Sequence, residues 1–249
     1  MPEFILFSFL VLVFFLGVHF KSPAFKGRDG ERRVNSRLQS SFADSDAQVL
    51  RNLTFPSGDG TTQVDHVVIA RSGVFVIETK NMAGLIFGGA NQARWTQVLH
   101  KHKSQFQNPL RQNYKHVRVV QQALSLNETQ IYNVVVFAGN GRPKTDMPEN
   151  VIWGARNLSR YIKAQHQIVF SQSEMQALAL QLQRIALDPS KETYKLHIAH
   201  VKAEVLKRET ATDNCPRCSG TLVERTALKT GRKFISCTRF PQCRYTRFD

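Results

Sequence analysis

The chain has 249 residues, with 34 Lys and Arg against 19 Asp and Glu, a formal charge of +15. That length holds one sizeable core plus a small module, which excludes a minimal stapled scaffold. The charge excludes an acidic solvating chain and points to a polyanionic partner, nucleic acid or an anionic membrane surface; the bland alternative is a solvated basic face. All four cysteines lie between residues 215 and 243, in two close pairs. That is metal spacing rather than a disulfide framework.

Residues 4–20, FILFSFLVLVFFLGVHF, contain no Asp, Glu, Lys or Arg. About 17 residues is the lower limit for crossing a bilayer. A secretory signal would want a basic start and a small-x-small cleavage site. Here the start is Met-Pro-Glu, and Val18, His19 and Phe20 make a poor cleavage site. The segment therefore reads as a retained single-span anchor, residues 1–21. Lys21, Lys26, Arg28, Arg32 and Arg33 follow it. By the positive-inside rule the soluble part then lies in the cytoplasm, at a bacterial inner membrane.

After a short linker at 22–26, residues 27–40 read as a helix, with Val34 and Leu38 at i, i+4 spacing. Glu31 sits in its first turn, where a carboxylate complements the helix dipole. Residues 48–55 predict a strand and 56–60 a turn-rich loop. Two β-branched runs, 64–70 and 74–77, flank Arg71, Ser72 and Gly73. They predict a tight hairpin with Gly in the turn. Val74, Val76, Glu78 and Lys80 share one face of the second strand, because side chains alternate. Phe75 and Ile77 make the other face apolar too, which marks a central, buried strand. It ends in a carboxylate and an ammonium, and its partner opens with Asp65. Buried charges are costly unless paired or bound to a metal. Asp65, Glu78 and Lys80 are thus candidate site residues; the structural alternative is a metal-free ion pair among them. His66 points to the opposite face and reads as structural.

Residues 83–98 predict a further hairpin, with Gly88 and Gly89 in its turn and Trp95 packed on it. Asn108 and Pro109 are a helix start, an N-cap followed by Pro at the first position. That helix runs to about Leu124. Residues 132–138 and 151–153 predict strands, 157–164 and 171–187 helices, and 189–212 a charged spacer helix. Helix, three-stranded meander, helix and strand make a mixed α/β order.

Asp65 with Glu78-Thr79-Lys80 resembles the active-site signature of the PD-(D/E)xK nuclease superfamily. The wider wording resembles a NERD (nuclease-related) domain from residue 27 to 138. It comprises Gly27-Arg-Asp-Gly-Glu31, Thr62-Gln-Val-Asp65-His-Val-Val, Gly73-Val-Phe-Val-Ile-Glu78-Thr-Lys80-Asn, Gly84, Trp95 and Asn108-Pro-Leu-Arg-Gln112-Asn. The resemblance implies a restriction-endonuclease-like mixed sheet flanked by helices over 27–140, with 141–210 as a helical extension and spacer. It also implies phosphodiester hydrolysis with Mg²⁺ or Mn²⁺. Such ions neutralise phosphoryl charge and activate water, and Mg²⁺ prefers few carboxylates. Asp65 and Glu78 would bind the ion, with the Thr79 carbonyl as a third donor. Lys80 would stand beside the attacking water or the phosphate. Glu31 would support the site from the preceding helix, and Gln112 and Gln63 would be polar partners. Asn81, Trp95, Asn108 and Pro109 match family blocks but read as structural.

Cys215, Cys218, Cys237 and Cys243 suit a tetrahedral zinc site that is closed, hence structural. The stretch 213–247 has few apolar residues and needs the metal to fold. It resembles the C-terminal zinc finger of type IA DNA topoisomerases, which implies single-stranded DNA binding. Arg217, Arg232, Lys233, Phe234, Arg239 and Arg244 are the candidate contacts, in a stretch that also holds Phe240 and Tyr245. A basic groove with aromatic platforms holds single strands without sequence readout. A protein-interaction or purely structural cap is the alternative. The whole reads as a membrane-anchored nuclease acting on DNA. The rivals are a non-catalytic DNA-binding protein at the membrane and a protein-interaction scaffold; the sequence does not specify protein partners.

Overall fold

A three-stranded antiparallel meander carries the central hairpin: β1 (Ala47–Ser57), β2 (Gly60–Ala70) and β3 (Gly73–Lys80). In the computed structural model, which describes residues 23–43, 47–58, 60–210, 214–227 and 233–247, it is extended by two parallel strands. These are β7 (Ile131–Phe137) and β9 (Val151–Trp153), giving the order β1-β2-β3-β7-β9. The proposed anchor at 1–21 and the candidate nucleic-acid contact Arg232 lie outside the described residues. Among those described, no helix is long and apolar enough to cross a membrane.

β3 sits in the middle, and residues 74–77 are wholly buried because helices cover both faces. On one face, Val67, Ile69, Val74 and Val76 meet Val117, Val120 and Leu124 of α2 (Pro109–Leu124) and Met175 and Leu182 of α4 (Gln172–Ile185). On the other, Val68, Phe75, Ile77 and Val136 meet Val34 and Leu38 of α1 (Pro23–Ser41) and Leu158 and Ile162 of α3 (Ala155–Lys163). The stretch after residue 141 thus supplies core to this unit.

The hairpin turn is Arg71-Ser72, since Ala70 pairs with Gly73. Gly73 has φ +142, and a Cβ there would lie 2.7 Å from a Tyr132 ring carbon. That ring stacks on Phe75 with centroids 4.4 Å apart, so only glycine fits. Pro56 belongs to β1 rather than to a loop. β1 is the sheet edge, where a missing N–H costs no ladder bond.

A second sheet, in the order β6-β5-β4-β8, contains the expected hairpin as β4 (Gly84–Phe87) and β5 (Arg94–Leu99). Two further strands join it, β6 (His102–Gln107) and β8 (Gly141–Pro143). The polar, exposed sequence of β6 gives no alternating signal. Trp95 is fully buried, and its Nε1 donates to the Gly89 carbonyl at 3.0 Å. A Cβ at Gly88 would overlap its indole.

The described residues divide into two compact units at Pro189 and Ser190. The second holds α5 (Lys191–Thr210) and a three-stranded antiparallel sheet of β10 (Leu222–Thr226), β11 (Lys233–Cys237) and β12 (Thr246–Arg247).

Asn108 ties α2 to the loop before β5. Its Oδ1 accepts from Leu110 N at 2.9 Å, and its Nδ2 donates to the carbonyls of Gly89, Ala90 and Gln92. Asn108→Ala removes a cap and the amide donor that ties the loop carbonyls of Ala90 and Gln92 to the helix. It should cost about 2–3 kcal/mol of unfolding free energy in urea titration; a loss below about 0.5 kcal/mol would contradict this account.

Candidate functional site

Alternation sends Glu78 and Lys80 to the α2 side of β3, after Val74 and Val76. The register pairs His66 with Ile77, which brings Asp65 beside Glu78 on that side. The β2–β3 ladder stops there. Beyond it the Thr79 N–H donates instead to Asp65 Oδ2, at 2.8 Å. The α2 helix begins at Asn108, and its one-turn spacing puts Gln112 and His116 on a common face.

Glu78 is the hub. Its side chain is only 6% exposed. Lys80 Nζ donates to Glu78 Oε1 at 2.7 Å and to Gln112 Oε1 at 2.8 Å. Gln112 Nε2 donates to the same Glu78 oxygen at 2.7 Å. His116 Nε2 lies 3.5 Å from Glu78 Oε2, and its Nδ1 is 2.9 Å from Thr62 Oγ1. Four of the five predicted site residues therefore gather at the middle of β2, the end of β3 and the start of α2. The fifth, Glu31 on α1, reaches them through its field, which raises the Asp65 pKa. Gln63 pairs with Thr54 in the β1–β2 ladder.

Sequence reasoning missed His116. The available signal was its place four residues after Gln112, polar yet on the buried side of α2. Asn113 was missed too. It is fully buried, and its Nδ2 donates to the carbonyls of Val76 and Val134 and to Asn133 Oδ1. It clamps α2 against β3 and β7, and so sets where Gln112 and His116 arrive.

The carboxyl groups are pulled apart electrostatically. Burial pushes the Glu78 carboxyl up, but Lys80 and His116 outweigh it and hold the group below its usual range. Burial, and then the Glu78 charge, raise Asp65 well above its range, against the Thr79 N–H. Burial and Glu78 likewise raise Glu31. Three carboxyls thus share one region, and of the three only Glu78 is hydrogen-bonded by the Lys80 ammonium. These hard oxygen donors suit Mg²⁺, which would supply the missing charge. His66 lies on the α1 face. Burial and Arg51 lower its pKa to about 4.

In the second unit the four cysteine sulfurs all lie within 4.8 Å of one another, and none is in a disulfide. Cys215 and Cys243 sulfurs are 3.6 Å apart, those of Cys218 and Cys237 3.3 Å. A tetrahedron of Zn–S bonds has edges of roughly 3.8 Å, so the set fits zinc. Backbone turns shape the knuckles: Ser219 N donates to Cys215 O, and Arg239 N points at the Cys237 sulfur at 3.4 Å. Of the candidate nucleic-acid contacts, Arg217 lies over the Tyr245 ring at 5.9 Å. Arg239 reaches the Cys218 carbonyl at 3.3 Å. Lys233 is exposed but paired with Glu224 at 2.9 Å. Arg244 and Phe240 are exposed, and Phe234 is half-buried.

Residues 26–138 match the nuclease-related domain family, and residues 212–249 match the topoisomerase DNA-binding C4 zinc finger. An uncharacterised protein of Bacillus anthracis is 48% identical over 100 residues, 40% of this chain and 47% of that protein. The chain thus spans about half the length of this curated relative. No solved structure matches. The chain therefore carries a nuclease-related domain at 26–138, followed by a topoisomerase-type four-cysteine zinc ribbon at 212–249.

Proposed function

We propose that the chain is a Mg²⁺-dependent nuclease that hydrolyses phosphodiester bonds in DNA. In this reading the ribbon holds single-stranded DNA, and the apolar segment 4–20 tethers the soluble units to the cytoplasmic side of a membrane. The observation that carries the activity is the junction of Glu78, Lys80 and Gln112, with Asp65 beside it.

Asp65 and Glu78 would hold the ion, with the Thr79 carbonyl as a further donor. Bound there, Mg²⁺ polarises a phosphoryl oxygen and lowers the pKa of water. Lys80 donates to the phosphoryl oxygen or to the attacking water. Its ammonium is pre-aimed by Gln112, so little rotamer freedom remains to be lost in the transition state. His116 holds the second oxygen of Glu78 and fixes the carboxylate plane. Gln112 spans Glu78 and Lys80, accepting from the ammonium and donating to the carboxylate.

A second reading, a non-catalytic DNA-binding protein, draws on the same contacts. The Glu78–Lys80 pair is already hydrogen-bonded and needs no metal for its own stability.

The deciding experiment uses the full chain in a non-ionic detergent, with single- and double-stranded DNA and RNA, with Mg²⁺, Mn²⁺ or no added ion. Cutting should require the ion and fall at least ~100-fold in Lys80→Ala and Glu78→Gln. Cutting that survives both variants would overturn the site. DNA binding without cutting would favour the second reading.

Stability gives a separate check. A raised Asp65 pKa means the folded state holds that proton more firmly than the unfolded chain. Its contribution therefore falls as pH rises from the unfolded carboxylate range through the folded pKa. Without added Mg²⁺, Asp65→Asn should raise the thermal midpoint at pH 7, and the gain should vanish in acid. Added Mg²⁺ should raise the wild-type midpoint and not the variant's. A variant less stable at pH 7 would show that Asp65 is not electrostatically disfavoured.

For the ribbon, removing zinc with a thiol-competing chelator should abolish its sheet signal and weaken single-stranded DNA binding. The remaining binding should show a shallower salt dependence, because fewer phosphates are neutralised. Unchanged affinity and slope would assign the ribbon another partner.

A further inference from the structure

Behind Asp65, on the α1 face of the sheet, is a cavity of about 330 Å³. Arg28, Arg32 and Asn35 of α1 line one side, and Arg51, Asn52 and His66 of β1 and β2 the other. Glu31 also lines it, and its charge is felt by Asp65. A regular strand would send the consecutive residues Arg51 and Asn52 to opposite faces. Both line the cavity, because Asn52 takes a left-handed φ of 51°. Asn tolerates that conformation better than most residues. The β1–β2 ladder skips at that point: Arg51 pairs with His66 and Leu53 with Val64, with no Asn52–Asp65 pair between. The kink opens the sheet edge directly behind the candidate site.

Two of the lining residues each keep one buried polar atom without a partner in the cavity wall. His66 is 1% exposed, yet its Nδ1 has no hydrogen bond. The Asn35 Oδ1 is buried and unbonded as well. Both atoms are closed off from the cavity, so the ligand is read from the charge of the lining instead. Arg32 pairs with Asp29 at 3.6 Å, whereas neither Arg28 nor Arg51 is in a salt bridge with a described residue, and these two guanidiniums face the one carboxylate of Glu31. A compact oxyanion with several acceptor oxygens suits a pair of guanidinium forks.

We propose that this cavity is a phosphate-binding subsite, which takes a phosphate group of the same nucleic-acid strand that enters the Asp65–Glu78 site. The proposal deepens the nuclease reading and rests on it for the identity of the strand. Arg28 and Arg51 grip the phosphate oxygens, and the His66 ring lies in the wall beneath them, where it senses the bound charge. Glu31 stands as a negative divider that keeps two phosphates in separate places. A strand end and an internal phosphodiester present the same chemistry here.

The test is a titration of the full chain with inorganic phosphate, in a non-ionic detergent and without added Mg²⁺ or Mn²⁺. It follows the ¹⁵N-labelled His66 imidazole, identified by the signal lost in His66→Gln. Wild type and Lys80→Ala should both show a saturable shift, and Arg28→Ala and Arg51→Ala should bind at least ten-fold more weakly. Chloride at equal ionic strength should not move the signal. No shift in wild type, or equal affinity in both arginine variants, would overturn the subsite. Thermal midpoints check that the exposed arginine substitutions leave the fold intact. Because no cutting is read, failure here is distinct from failure of the nuclease reading: phosphate binding without any nuclease activity would sink only the latter. Oligonucleotides with and without terminal phosphates then separate the two sources. A preference for phosphorylated ends that Arg51→Ala removes assigns a strand end. An equal loss of affinity for all of them assigns an internal phosphodiester.

Discussion

A nearly buried carboxylate at the end of an apolar strand is an expensive thing to keep, and Glu78 sets the terms for what surrounds it. The strand before it is apolar on both faces, so β3 has to be central, with helices on either side. Removed from water, the carboxylate needs a cation and donors close at hand. Lys80 comes from the same strand, two residues on, at no cost in chain closure. Gln112 and His116 come from α2, some thirty residues later. A buried ion pair alone seldom repays its desolvation; the extra donors on both Glu78 oxygens make the difference.

That dependence passes to the attachment of α2. Three asparagines fix it. Asn108 closes its first turn and binds the preceding loop, Asn113 grips the carbonyls of β3 and β7, and Asn133 reaches back to Leu110 O at 2.9 Å. Amide side chains suit this task because each both donates and accepts without carrying charge. A Lys or Arg in those places would compete for Glu78. The helix is thus located by neutral groups and delivers polar ones. This division lets the site keep its unbalanced carboxyls without the fold depending on them.

The hairpin and the trio of Asp65, Glu78 and Lys80 were legible because alternation puts Glu78 and Lys80 on one side of β3, and the short turn fixes the register that sets Asp65 beside them. Asn108 and Pro109 were legible as a helix start, since cap chemistry is local. His116 was not. On a helix, a polar residue at a buried position looks the same whether it serves a site or the solvent-facing margin, and only the docking by Asn113 decides. β6 was hidden for a related reason: its strand character comes from pairing with β5, not from its own composition. Pro56 misled because a proline reads as a loop until the strand is known to be an edge. The left-handed Asn52 had no sequence signal either; a single Asn in a strand does not announce its φ. What the sequence could not convey, then, were features created by register and docking rather than by local preference.

The charges of this chain act at two ranges. At long range a formal +15 draws polyanions, and it is screened over roughly 8 Å at physiological salt. At short range the region of Asp65, Glu31 and Glu78 repels them. Each carboxylate that burial and its neighbours push upward is one that would gain from a cation, so under the proposed function Mg²⁺ and a phosphate group would be cooperative ligands there, each improving the place for the other. The cavity behind Asp65 has the opposite sign balance, with arginines in excess, and needs no ion to accept a phosphate. Under the proposed function the two sides of β2 therefore differ in order of filling. The arginine-lined side holds the strand on electrostatics alone, and the carboxylate side admits the reacting phosphate only once its own charge is met. Adjacent residues of one strand, Asp65 and His66, mark that boundary.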